Sequence, residues 1–336
     1  MALKIIDCTL RDGSNAINFK FERDLTKIIL MGLEKAGIRW IDMGHGLGAS
    51  KKSGKPASLS DEAYMELAKS SLKKAKFGFF LAKFGEKKDI KLASQKGVDF
   101  LRIGSNITEI DQIEYFVKCA KENDLIVNVC LMKTYAVGIK EYLKVLEKLK
   151  KWEVTLVTLM DSAGTMFPKN VKEYFVQGKV NVGIPLGFHA HNNLQLAIAS
   201  ALVAIESGAE EIDVSMGGLG RSAGNAPTEI FAILLEKYNF GRFLDYKLLS
   251  DLNDKYIFPL IKGENRFSSK ALTFGLAGFH SSFFPLIKKV CAKYPSVDYR
   301  DVVLRVSLKE KVKVTEDLIE EAIKNIINKK NKIPIL

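Results

Sequence analysis

The chain is predicted to be an α/β protein, a (β/α)8 TIM barrel followed by a helical C-terminal domain, and three observations lead there. Short β-like runs alternate with longer amphipathic segments through residues 1–240, giving eight consecutive β-α units. Glycines close several of the helical segments (Gly37, Gly97, Gly208), as left-handed helix caps do. The polar clusters fall just after apolar runs, at the end where a barrel of parallel strands carries its active site. A doubly wound sheet would normally use fewer strands.

Taken in order, the strands are expected over 4–8, 40–43, 77–81, 100–103, 126–131, 156–160, 186–189 and 211–214, each a short run rich in Ile, Val, Phe or Leu. Helices are expected between them, over 23–36, 60–74, 87–96, 109–122, 138–150, 168–177, 194–208 and 227–238, where apolar residues recur at helical spacing. After residue 240 the alternation stops. Residues 241–336 are read as a helical domain with segments over 245–256, 274–284 and 315–328, placed either to cover the barrel mouth or to bind a partner.

Composition narrows the function. With 336 residues, 47% of them hydrophobic and 27% charged, the chain can bury a large core and has no disordered signature. Its net charge of +12 comes from lysines scattered along amphipathic helices, not from a patch interleaved with aromatics, so a nucleic-acid partner is not expected. Cys8, Cys119, Cys130 and Cys291 sit in apolar contexts without close pairing and read as buried small hydrophobes in a reducing compartment. Residues 1–7 run directly into a strand and no apolar run reaches membrane-spanning length; a cytosolic, membrane-free protein is expected.

Three separated segments can converge on one divalent metal. They are Thr9-Leu10-Arg11-Asp12-Gly13, His189-Ala190-His191-Asn192-Asn193 and the glycine-rich loop from Gly217 to Ala226. A strand's period of two puts His189 and His191 on one face, and Asp12 is the candidate carboxylate. Two neutral imidazoles and a carboxylate leave coordination positions open, which suits Lewis-acid chemistry on a 2-oxo acid. Arg11, beside Asp12, is placed to stabilise an enolate oxygen, or else to pair with Asp42 or Asp161. The stretch 218–223 satisfies a loose dinucleotide fingerprint, but in the last of eight units it reads better as a phosphate- or carboxylate-binding turn, with Asn225 close enough to reach the metal. Ser162 either caps the next helix or bonds the substrate carboxylate.

These residues together resemble the DRE-TIM metallolyase superfamily, and its 4-hydroxy-2-oxovalerate aldolase branch most. The resemblance runs from Thr9 to about Phe284 and includes Gly44-His45-Gly46, Thr108-Glu109, Asp161-Ser162, Ala223-Gly224-Asn225-Ala226-Pro227 and the stretch 278–282. It implies Mn²⁺, or Mg²⁺, Co²⁺ or Zn²⁺, on Asp12, His189 and His191, with Asn225 near the metal and Arg11 stabilising a pyruvate enolate. Asp42, His45, Ser162 and Asn106 are expected around the substrate. It further implies a small-molecule 2-oxo acid substrate, a homo-oligomer, and a C-terminal domain that docks an aldehyde dehydrogenase.

The sequence departs from that branch at the catalytic base. Asn15 stands where those aldolases carry a histidine, and an amide cannot take a proton. His280 stands where they carry a tyrosine, so His280 is expected to serve as general acid or base while Asn15 orients the substrate hydroxyl. Asn106 replaces a further histidine, which points to an aldehyde other than acetaldehyde. An acyl-CoA-dependent Claisen synthase of the isopropylmalate or homocitrate synthase type is an alternative, as is an impaired barrel acting as a scaffold. Acyl-CoA consumption would mark the first, and stoichiometric metal would weigh against the second.

Overall fold

A computed structural model describes residues 3–47, 57–81, 85–241, 243–261 and 268–328, except for the side chain of His45. Eight parallel strands close into a barrel in sequence order: β1 Lys4–Asp7, β2 Trp40–Leu47, β3 Lys76–Leu81, β4 Phe100–Asn106, β5 Ile126–Met132, β6 Leu156–Asp161, β7 Leu186–Ala190 and β8 Glu211–Val214. The closing pair sets Lys4 opposite Glu211 and Asp7 opposite Val214. A helix follows each strand: α1 Arg23–Lys35, α2 Asp61–Ser71, α3 Lys87–Gln95, α4 Glu114–Lys121, α5 Ile139–Lys151, α6 Pro168–Asn181, α7 Ala197–Glu206 and α8 Thr228–Lys237. Each turns an apolar stripe to the barrel; in α5 the buried positions are Tyr142, Val145, Leu146 and Leu149, the i, i+3, i+4, i+7 pattern.

The interior of the barrel is layered. Ile6, Trp40, Phe100 and Ile126 form an apolar plug at the N-terminal end of the strands. Above it lies a polar layer centred on the fully buried Arg102, whose guanidinium bonds Asp42 (3.1 Å), Asp213 (2.7 Å) and Thr158 (3.3 Å). Unpaired, either carboxylate would be a buried charge costing roughly 3–5 kcal/mol, so the layer holds only as a complete network.

Beyond α8 the chain forms α9 Tyr246–Leu252, α10 Ser269–Ala277, α11 Phe284–Cys291, α12 Tyr299–Lys309 and α13 Glu316–Asn328. Leu244, Leu249 and Ile257 belong to the barrel's own apolar core, whereas α10 to α13 share a second core built on Phe274, Phe279, Val302, Val306 and Ile323. The segment expected over 274–284 is two helices, because Gly278 adopts φ +57° and ends α10. Helix α12 has no counterpart among the segments expected from sequence. Its valines favour strand locally, but Val302, Val303 and Val306 fall on one helical face and pack into the second core, and that packing overrides propensity.

The C-terminal helices lie over the end of the barrel where strands β4 to β8 finish. Lys313 pairs with Glu109 (3.1 Å), Lys133 Nζ donates to the Val312 carbonyl (3.2 Å), and Asn193 Nδ2 donates to the Ala271 carbonyl (3.0 Å). These contacts place the C-terminal helices over the mouth. No helix among the described residues is long and apolar enough to cross a membrane.

Candidate metal centre

After β1 the chain turns tightly, with the N–H groups of Arg11, Asp12 and Gly13 all directed to the Cys8 carbonyl (3.0, 2.8 and 3.3 Å). This brings Arg11 and Asp12 to the mouth. At the end of β7, His191 continues as a bridge to Asn225, and the His189 and His191 rings share a face with centroids 5.0 Å apart. Asp12 Oδ2 lies 3.9 Å from Nε2 of each histidine, and one ligand atom from each of the three residues falls within 4.8 Å of the others.

A second set, Cys8, His189 and Asp213, is equally close but differently engaged. Asp213 Oδ2 already bonds Arg102 Nη2 (2.7 Å) and His189 Nδ1 (2.7 Å), and burial pushes the Cys8 thiol well up. Asp213 is therefore the group that orients His189. With Nδ1–H donated to Asp213, the Nε2 lone pair is left facing Asp12, the pairing that fixes the tautomer of a metal-binding histidine.

Electrostatics prepare the same donor set. Burial alone would raise the Asp12 carboxyl, but Arg11, His191, His189 and Arg221 hold it well below the usual carboxylate range. Burial lowers His191 to about 4 against the pull of Asp12, so the ring is neutral at physiological pH. For Asp213, burial is outweighed by Arg102 and the His189 bond, which hold its carboxyl below the usual carboxylate value. An ionised carboxylate beside neutral imidazole is what a divalent ion requires.

An orphaned acceptor tests whether a metal fits, and an orphaned donor beside it faces the substrate. Asn225 Oδ1 is buried without a hydrogen-bond partner, while its Nδ2 lies 3.3 Å from His189 Nε2. Arg11 Nη2 is likewise buried and unpartnered, although Nε bonds Asp42 (2.9 Å), Nη1 bonds Asp12 (2.9 Å) and the guanidinium lies over the Phe80 ring at 5.2 Å. A Cβ at Gly220 would stand 2.1 Å from Asn225 Oδ1 and 3.0 Å from Asp12 Oδ2, so only glycine keeps the cradle open. The donor set fits a divalent metal on Asp12, His189, His191 and Asn225.

The structure sorts the remaining sequence-derived residues. Asp42 is buried beneath Arg11 as its counter-ion and also binds Arg102, so it holds the guanidinium in place. Ser162 does not cap α6, whose N-cap is Phe167; its Oγ accepts from the Lys133 N–H (3.0 Å). The glycine loop is an anion-binding turn in one respect, since the Arg221 N–H points to Asp12 Oδ2 (3.4 Å). Asn15 Nδ2 donates to the Asp12 carbonyl (3.1 Å) and its Oδ1 accepts from Arg221 Nη2 (2.9 Å). Asn106 bonds Glu109 (2.7 Å) and so joins the β4 loop to the C-terminal helices through the Glu109–Lys313 pair. The side chain of His45 lies outside the described residues.

His280 sits half-buried between α10 and a 3₁₀ turn, and the charges acting on it are those of Arg221, Lys133, His191 and Asp12. It therefore belongs to the mouth although it lies on the C-terminal helical unit. Sequence reasoning missed Asp213 and Arg102. The available signal was a charge placed inside a strand, Arg102 in the otherwise apolar run 100–103 and Asp213 with Glu211 on one face of 211–214, which in a barrel means an internal ion pair or a site. Changing Asp213→Asn is expected to weaken Mn²⁺ binding by about 10- to 100-fold, measured by calorimetric titration; an unchanged affinity would show that His189 needs no such partner.

Comparison with known proteins decides the family. The family model described as HMGL-like matches residues 2–255. The chain belongs to the HMGL-like family. Within it, the chain is 31% identical over 319 residues to a 4-hydroxy-2-oxovalerate aldolase of Desulfitobacterium hafniense, covering 94% of this chain and 96% of that protein. It is 33% identical over 320 residues to the protein of the same name from Carboxydothermus hydrogenoformans, covering 94% and 95%. Among solved structures, the N-terminal domain of a putative aldolase from Bacteroides vulgatus superposes with TM-score 0.74 at 24% identity, over 88% of this chain and 98% of that one. The carboxyl transferase domain of Rhizobium etli pyruvate carboxylase with pyruvate gives TM-score 0.79 at 15% identity, over 97% of this chain and 61% of that one. The two structures share the barrel fold of this HMGL-like chain.

Proposed function

We propose that the protein is a divalent-metal-dependent aldolase that cleaves or forms a 4-hydroxy-2-oxo acid through a pyruvate enolate. The observation that carries this reading is Arg11 Nη2, a buried donor left without a partner beside a carboxylate–dihistidine cluster. Names shared by full-length relatives support the same reading. A divalent ion, Mn²⁺ by preference and otherwise Mg²⁺, Co²⁺ or Zn²⁺, supplies Lewis acidity toward the carboxylate and keto oxygens of a 2-oxo acid.

The protein's own groups then divide the work. Arg11, held rigid by Asp42 and Asp12, donates Nη2 to the oxygen that becomes negative as the enolate forms, at no cost of reorganisation. Ser162 accepts the Lys133 N–H, which leaves its own hydrogen for the substrate carboxylate. Asn15 cannot act as base, but its second amide hydrogen can orient a hydroxyl.

For His280 the hydrogen bonds narrow the role. Nδ1 accepts the Ser282 N–H (3.2 Å) and lies 2.6 Å from Ser282 Oγ; with that hydroxyl donating as well, the neutral ring carries its proton on Nε2. Burial, with Arg221 and Lys133 adding to it, pushes the ring well below the ordinary histidine range, which favours its neutral form. It acts as a hydrogen-bond donor to the oxygen on C4, in the manner of a neutral electrophilic imidazole. Replacing His280→Ala should lower kcat by about 10²-fold or more with metal content unchanged, and His280→Gln should recover part of the loss because its amide still donates. A glutamine variant no better than alanine would assign proton transfer instead.

The reading extends to a cytoplasmic homo-oligomer, which the four free cysteines suit. It also extends to an aldehyde dehydrogenase docked on the C-terminal helices, where Leu272 and Leu276 of α10 are exposed one turn apart. The enolate itself is tested by incubating metal-loaded protein with pyruvate in D₂O. Metal-dependent loss of the methyl proton signal is expected, and full retention of that signal would overturn the aldolase reading.

A further inference from the structure

We propose that the aldehyde handled at this site carries an anionic group, a carboxylate or a phosphate, and that Arg221 recognises it. The inference rests on the aldolase reading above and specifies its second substrate. Two arginines flank Asp12, and their charges are met differently. Arg11 is tied to two carboxylates, Asp42 and Asp12, at 2.9 Å each. Arg221 forms no ion pair among the described residues; its Nη2 bonds the neutral Oδ1 of Asn15 (2.9 Å). The carboxylate it reaches is Asp12, through its backbone N–H (3.4 Å). Asp12 is the ligand already assigned to the metal. Among the described residues no carboxylate neutralises this half-buried guanidinium, and an anion carried by the substrate would do so.

Position assigns that anion to the aldehyde end. The pyruvate end has its own donors in Arg11 Nη2 and the Ser162 hydroxyl. Arg221 stands on Asn15, the residue read as orienting the hydroxyl on C4, and its charge acts on His280, the donor proposed for the same oxygen. Lys133 adds a second positive charge there, with Nζ 5.1 Å over the Phe283 ring and its field also acting on His280. Arg221 offers a planar fork that matches a carboxylate or phosphate in two-point contact. In the forming direction, pyruvate C3 loses a proton to water and bonds to the aldehyde carbon. The aldehyde π electrons pass to its oxygen, which takes a proton back. The product is a 4-hydroxy-2-oxo acid with a second anionic group at its far end.

The test uses the full-length, Mn²⁺-loaded protein. Pyruvate is combined with glycolaldehyde phosphate, succinic semialdehyde, glyoxylate and the neutral propionaldehyde, and kcat/KM is measured for each. At least one anionic aldehyde should exceed propionaldehyde by roughly 10- to 100-fold, the value of a charge-assisted contact. Which of them leads separates phosphate from carboxylate. In Arg221→Gln the ratio should fall to within a few-fold of one, and Arg221→Lys should restore part of it. Equal use of neutral and anionic aldehydes by the wild type, or a ratio untouched by Arg221→Gln, would overturn the inference. An equal fall for all aldehydes in Arg221→Gln would place the arginine at the pyruvate end and overturn it too. Absence of methyl proton exchange in the wild type would instead remove the aldolase reading on which it stands.

Discussion

Asp12→Asn is expected to lower pyruvate release from a 4-hydroxy-2-oxo acid by at least about 10⁴-fold, because it removes the charged ligand and its Lewis-acid chemistry together. The substitution preserves volume, so the barrel should still fold, but the metal should no longer co-purify. Stability should fall as well. Burial alone would raise the Asp12 carboxyl, but Arg11, His191 and His189 hold it below its unfolded value, so its stabilising contribution is present at neutral pH and is lost only in strong acid. The variant should therefore melt below wild type at pH 7 and keep most of that gap at pH 3, where the wild-type carboxylate is still ionised. Metal analysis, circular dichroism and melting at the two pH values would check all three outcomes. A variant that keeps stoichiometric metal would show that Asp12 is not a ligand.

Arg11→Lys is expected to cost about 10²- to 10³-fold in kcat, the usual effect of removing one oxyanion donor. Metal content should be retained, which separates this variant from the first. A lysine has one charged nitrogen, and it cannot bind Asp42, bind Asp12 and still present a donor to the substrate as the three guanidinium nitrogens do. The loss should fall on kcat more than on KM, since the contact strengthens as the enolate forms. A variant with near-normal kcat would reduce Arg11 to a structural counter-ion of Asp42.

The barrel was legible because strand and helix periods alternate without interruption for 240 residues, and every strand predicted from them has a counterpart in the closed sheet. His189 and His191 were legible for the same reason, since strand spacing alone puts them on one face. What lay hidden depended on contacts between distant strands. Asp213 lies 24 residues from His189 in sequence, yet fixes its tautomer. Arg102 on β4 bonds Asp42 on β2 and Asp213 on β8; the charges are visible in their strands, but nothing local says which of them meet. The split at Gly278 and the valine-rich α12 show the other limit, where tertiary packing decides what local propensity leaves undetermined.

Asn15 is the departure on which the functional account turns. Its amide carbonyl oxygen is occupied by Arg221 and one amide hydrogen by the Asp12 carbonyl, so the position is built into the site and not merely emptied of a base. A scaffold would have no reason to keep the buried, unpartnered Arg11 Nη2 and Asn225 Oδ1 aimed into a cradle that a single Cβ at Gly220 would fill.

The most direct measurement is pyruvate release from a panel of 4-hydroxy-2-oxo acids, followed through coupled lactate dehydrogenase, with Mn²⁺ present, chelated and restored. Release should disappear on chelation and return with the metal. Release that persists in the chelator, or silence across the panel in protein shown to be metal-loaded, would contradict the metal-dependent aldolase reading.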